Sequence, residues 1–252
     1  MSFSFRSTTP PAIKNIIIIN VLFFLASIGV PKYFGFDFMD FFGLHYFESE
    51  KFNPIQLVSY MFLHDTSGFS HIFFNMFGLW MFGRGIEEIW GTRKFLIFYF
   101  VSGIGAALVQ EVTWYFSVQP MVEAFNGFMN TKNTELLMPY LSNVTESVYP
   151  TVDQLIEIKG MIFDKMLTVG ASGCVFGILL AFAMLFPQAE IFLLFIPIPI
   201  KAPIFVTIYA VMELFLGVQS FSGDNVAHFA HLGGMLFALI LILVWRKKGN
   251  LY

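Results

Sequence analysis

Six apolar runs, each long enough or nearly long enough to cross a lipid bilayer, constrain this chain more than any other feature. They are Ile13 to Val30, about Ser70 to Trp90, Phe95 to Val118, Ser172 to Phe186, about Pro203 to Val218, and Val226 to Trp245. A hydrocarbon core takes about 17–25 residues of helix to cross. Within a single segment, only a helix satisfies its own backbone hydrogen bonds there. The expected fold is an all-α membrane protein, a bundle of six transmembrane helices. Only 12% of the 252 residues are charged and 34 are Phe. Soluble domains carry about twice that charged fraction, so little chain is left for a soluble domain. The formal net charge of -3 gives no electrostatic footprint for nucleic acid. The lone Cys174 cannot form an internal disulfide.

Lysine and arginine set the direction of crossing. With six spans, one side holds Arg6, Lys14, Arg84, Arg93, Lys94, Lys201, Arg246, Lys247 and Lys248, close against span ends. The basic residues of the other side are diluted by acids such as Asp37, Asp40, Glu48, Glu123 and Asp164. The reading is a multi-pass protein of the plasma (inner) membrane with both termini cytosolic. No small-x-small site follows the first run, so it is read as a span and not as a cleaved signal. Pro197, Pro199 and Pro203 make Ile191 to Lys201 a poor helix.

Spans two, four and six then all begin on the non-cytosolic side. Polar groups collect at those three starts: His71 and Asn75, Ser172 within Gly170-Ala171-Ser172-Gly173, and His228. A run of Ser172 to Phe186 makes only about 22 Å of helix, against about 30 Å of hydrocarbon. Ser172 is therefore expected below the outer surface, in a water-filled pocket.

A serine at a helix start meets free backbone N–H groups and the positive dipole end. His228 is a candidate general base for it, and no acid beside His228 in sequence points to a third member. Ala230, Gly234 and Ala238, like Gly173 and Gly177, form small-residue stripes that bring spans four and six together. Phe176 lies one turn after Ser172 and is placed to stack on the imidazole. His71 and Asn75, four apart on one helix face, are candidate oxyanion donors, or else hydrogen-bond glue between helices. His231 is expected to pack or bond, His64 to be structural, and Glu87 to hold a neighbouring helix or loop. Two rival readings fit less well. A metalloprotein using the histidines lacks a His-Glu-x-x-His pattern and a completing carboxylate. A transporter would not require a submerged Gly-Ala-Ser-Gly. The chemistry asks for no metal and no cofactor.

Residues 119–165 form an extra-membrane insert. Thr151 and Gln154 make a capping box before a helical pattern through Leu155, Ile162 and Phe163. Such a helix suits the outer leaflet, the catalytic mouth or the protein's own surface. Asn143-Val144-Thr145 matches a glycosylation sequon.

Pro54 through His64, His71-x-x-x-Asn75, Gly83-x-x-x-Glu87, Gly91-Thr-Arg-Lys-Phe95, Tyr99, Ser102-Gly103, Gly170-Ala-Ser172-Gly173 with Phe176-Gly177, and His228-x-x-His231-Leu-Gly-Gly234 occur in this order. Together they resemble the rhomboid family of intramembrane serine proteases. The resemblance implies Ser172 as nucleophile and His228 as base in a Ser-His dyad. It implies an oxyanion hole from His71, Asn75 and the Ser172 backbone N–H, with Gly170, Gly173 and Phe176 in support. It implies span five as a lateral gate, and single-span membrane proteins as substrates. Ile55-Gln56 stand where many members carry Trp-Arg, which leaves open how the loop after the first span is braced.

Overall fold

The computed structural model describes residues 8–141, 150–193, 196–219, 226–249 and 251. The sequon at Asn143 lies outside them. The first apolar run is helix α1 (Pro11–Phe34), which starts with Pro at its first position and stops at Gly35. Helix α4 (Ser70–Thr131) holds the second and third runs and is broken at Gly91, whose φ of 75° and ψ of 160° are not helical. Glycine takes that backbone without a Cβ penalty, so the break falls where the charged Gly91-Thr-Arg-Lys segment separates the two runs. Then follow α6 (Ser172–Leu185), α7 (Ala202–Gln219) and α8 (His228–Lys247). Four of these helices are long and apolar enough to cross a membrane, and α6 is the short one. Taking the two arms of α4 separately, the apolar rods are those that the sequence predicts.

Helices α4, α6 and α8 pack on one another as the centre, with α1 and α7 outside them. Glycine sets how close α6 and α8 come. A Cβ on Gly234 would overlap the Gly173 carbonyl, and one on Gly177 would meet Ala238 at 3.2 Å. Gly234→Ala therefore has no room to relax except by pushing the helices apart. We expect a loss of about 1–3 kcal/mol or more, read as a lowered unfolding midpoint in detergent. The start of α6 should shift with it, because Gly173 adjoins Ser172.

Short elements, helix α2 (Phe38–Phe42) among them, brace the end of the bundle that bears Ser172. Strand β1 (Leu44–His45) pairs antiparallel with β2 (Leu167–Thr168), fixing the loop before α6 to the loop after α1. Gln56, buried at the start of α3 (Gln56–Ser59), answers the question left by the missing Trp-Arg. Its Oε1 accepts from the His45 and Asn53 backbone N–H groups, and its Nε2 donates to the Phe41 and Lys51 carbonyls. One amide side chain thus holds three stretches of that loop. Ser59 Oγ adds a bond to the Phe42 carbonyl at 2.6 Å. At the far end Glu87 accepts from the Ala12 and Ile13 N–H groups, at 2.8 and 3.0 Å, and caps the first turn of α1.

Two expectations are refined. The first part of the segment expected as an insert from residue 119 is helical, because α4 continues unbroken to Thr131. Val118, Met121, Phe125 and Phe128 give that extension a buried face. It is covered by Tyr46, Leu137 and helix α5 (Val152–Asp164) through Leu155 and Phe163. The Thr151–Gln154 capping box is formed. The proline-rich approach to α7 is a hairpin, β3 (Glu190–Leu193) against β4 (Ile196–Lys201).

Candidate active site

Ser172 opens α6, where the first N–H groups have no intrahelical carbonyl. The turn that delivers it depends on Gly170, with φ 134°, a backbone that side-chain-bearing residues rarely adopt. Gly170 N donates to the Tyr60 carbonyl at 3.0 Å and pins the loop. A Cβ there would stand 3.0 Å from His71 Nε2 and 3.6 Å from Ser172 Oγ. The missing side chain leaves open the space that borders both the His71 ring and the Ser172 hydroxyl.

The partner of Ser172 is not the expected one. His231 Nε2 lies 2.8 Å from Ser172 Oγ. His228 instead directs Nδ1 at Glu213 Oε2 of α7, at 2.7 Å, and the expected Ser172–His228 pair is corrected accordingly. The reason is helical phase. The face of α8 that touches α6 runs through Gly234 and Ala238. His231 is three residues before Gly234 and seven before Ala238, which places it on that face. His228 is one turn further back and turned toward α7. Spacing from Gly234 was the signal in the sequence that selects His231. Phe176 stacks on an imidazole as expected, but on that of His231, with ring centres 4.3 Å apart and planes within 8°. Tyr209 of α7 also packs on Phe176, with ring centres 4.8 Å apart.

The same Glu213 Oε2 lies 2.8 Å from His231 Nδ1. Glu213 is 4% exposed and is the only charged residue of α7. No motif marks it. Its signal in the sequence is simpler: an acid inside an apolar run is costly and tends to mark function.

The hydrogen bonds fix the tautomers. A carboxylate only accepts, so His231 carries its proton on Nδ1 and turns the Nε2 lone pair to the Ser172 hydroxyl. His71 is the reverse. The Asp65 backbone N–H donates to His71 Nδ1 at 3.1 Å, which leaves the proton on Nε2, on the side of Gly170 and Ser172. His64 packs edge-on against His71, ring centres 5.1 Å apart, and burial pushes its imidazole down to about 3, so the neighbour is an uncharged ring. Asn75, 6% exposed, donates from Nδ2 to the His71 carbonyl at 2.9 Å. Its second amide hydrogen is not used in that bond.

The site can therefore take a proton from a hydroxyl on one side and donate to an anion on the other. Residues 51–248 match the family model of the Rhomboid domain. Among curated proteins, an uncharacterized mitochondrial rhomboid protein of Schizosaccharomyces pombe is 26% identical over 212 residues, which is 76% of this chain. The chain spans about half the length of that relative, 52%.

Proposed function

The chain belongs to the rhomboid family, and from that premise we propose that it is an intramembrane serine endopeptidase with Ser172 as nucleophile and His231 as general base. The 2.8 Å contact between Ser172 Oγ and His231 Nε2 carries the reading. Ser172 Oγ attacks the scissile carbonyl carbon and its proton passes to His231 Nε2. The oxyanion accepts from His71 Nε2–H, the remaining Asn75 amide hydrogen and the Ser172 backbone N–H. Collapse of the tetrahedral intermediate breaks the C–N bond, and His231 returns the proton to the leaving amine. Water then hydrolyses the acyl-enzyme by the same steps. Gly170 keeps the space beside Ser172 open and Gly173 lets α6 pack closely on α4 and α8, while Phe176 holds the imidazole plane.

The substrates are transmembrane segments of other membrane proteins. The α6 helix of 14 residues is about 21 Å long, shorter than the roughly 30 Å hydrocarbon core, so cleavage takes place below the lipid surface in a wet pocket. The proposed setting is the plasma (inner) membrane; the distribution of Lys and Arg supports both termini on the cytosolic side and the site toward the opposite face.

A fluorophosphonate tests the nucleophile directly. The reconstituted chain should be labelled with one adduct, mapped by mass spectrometry to Ser172, and labelling should stop cleavage of a single-span reporter. A chain that cleaves the reporter while Ser172 stays unlabelled would remove the serine mechanism.

A further inference from the structure

Helix α7 is an apolar rod on the outside of the bundle. Its Ile204, Ile208, Val211, Leu214, Phe215 and Val218 are each at least half exposed within the protein. Its buried residues are Ala202, Val206 and Glu213. The one charge on the helix is thus turned inward, against the feature of α8 that matters most. Both hydrogen bonds from α8, His228 Nδ1 at 2.7 Å and His231 Nδ1 at 2.8 Å, converge on a single carboxylate oxygen.

We propose that Glu213 is the positioning residue of the site: it holds His231 in the Nδ1–H tautomer with Nε2 aimed at Ser172, so that α7 completes the catalytic arrangement. The proposal rests on the serine-protease reading and extends it from a dyad to a Ser172–His231–Glu213 line. During attack the imidazole gains a proton at Nε2 and becomes a cation. Glu213 lies against its far nitrogen, and in a low-dielectric site a charge so placed stabilises that cation far more than it would in water. Glu213 itself neither loses nor gains a proton in the step. His228 acts differently. Its N–H on the same oxygen holds the carboxylate, since a buried acid with a single partner would be under-satisfied. The acid comes from an outer helix, so the site is complete only while α7 is seated against α8.

The test is Glu213→Gln, which preserves size and removes the charge. We expect kcat to fall by about 10²–10⁴, the upper figure being the loss known when an orienting acid becomes an amide in a soluble triad, with KM unchanged. Glu213→Asp keeps the carboxylate one methylene short and should lie between wild type and Gln in kcat. It also gives a reading if the Gln variant does not fold. A kcat within threefold of wild type for Gln, or an Asp variant slower than Gln, would overturn the proposal. So would changes confined to KM and the unfolding midpoint. The three ligand atoms of Glu213, His228 and His231 lie within 4.8 Å of one another, close enough to hold a metal ion. Cleavage should be unaffected by EDTA, and loss on chelation would replace the hydrogen-bonded carboxylate with a metal centre. A wild-type chain that neither labels nor cleaves would instead count against the protease reading itself.

Discussion

Ser172→Ala is expected to reduce kcat for a reporter membrane substrate by a factor on the order of 10⁶, the scale of removing the nucleophile of a serine protease. The variant loses one hydroxyl and its bond to His231 Nε2. It keeps the α6–α8 contact made by Gly173, Gly177, Gly234 and Ala238, so its unfolding midpoint should stay near that of wild type. Because the oxyanion donors and the substrate path are untouched, binding should survive. The inactive protein should retain a single-span substrate in a pull-down from detergent. Residual cleavage above about one part in a thousand would mean that some other group performs the attack.

The second large effect separates two histidines that lie three residues apart. His231→Ala should cost nearly as much as Ser172→Ala, since removing the base of such a pair leaves the serine unactivated. His228→Ala removes one of two hydrogen bonds to Glu213 and leaves the Ser172–His231 bond in place. Its expected cost is about tenfold, the worth of a single hydrogen bond of about 1 kcal/mol or somewhat more. The order of the two effects is the measurement. Greater damage from His228→Ala would return the general base to the position that the sequence motif alone suggests.

The contrast shows where sequence reading succeeds and where it ends. Apolar run length is a one-dimensional property fixed by membrane thickness, so the starts and most of the ends of the long rods could be placed to within a few residues, although α4 runs past the expected end at Val118 to Thr131. The Gly91 break and the resistance of Pro197 and Pro199 to helix were legible for the same reason, being local backbone effects. Ser172, His71 and Asn75 could be found because each is polar at the start of an apolar run. Choosing between His228 and His231 is a different kind of question. It depends on rotation of α8 about its own axis, set by where Gly234 meets Gly173, and that becomes visible only when the phase of the packing stripe is followed back to the histidines. Glu213 is harder still. It is remote from every motif, and its partner atoms lie 15 and 18 positions away on another helix. Gln56 makes the same point for the loop: Trp-Arg is absent, but an amide with two acceptor and two donor contacts does the bracing.

The corner at Gly91 carries a further implication. There Glu87 grips the first turn of α1, while Trp90 Nε1 and Lys94 Nζ hold the carbonyl of Leu251, at 2.8 and 3.2 Å. Both ends of the described chain are moored to one junction, about twenty helical residues or about 30 Å from the His71 end of α4. With the orientation proposed above, cargo fused to either end would ride on the opposite side of the bilayer from the scissile bond. Tags, reporters or appended modules should therefore be exchangeable there without entering the path by which a client helix arrives.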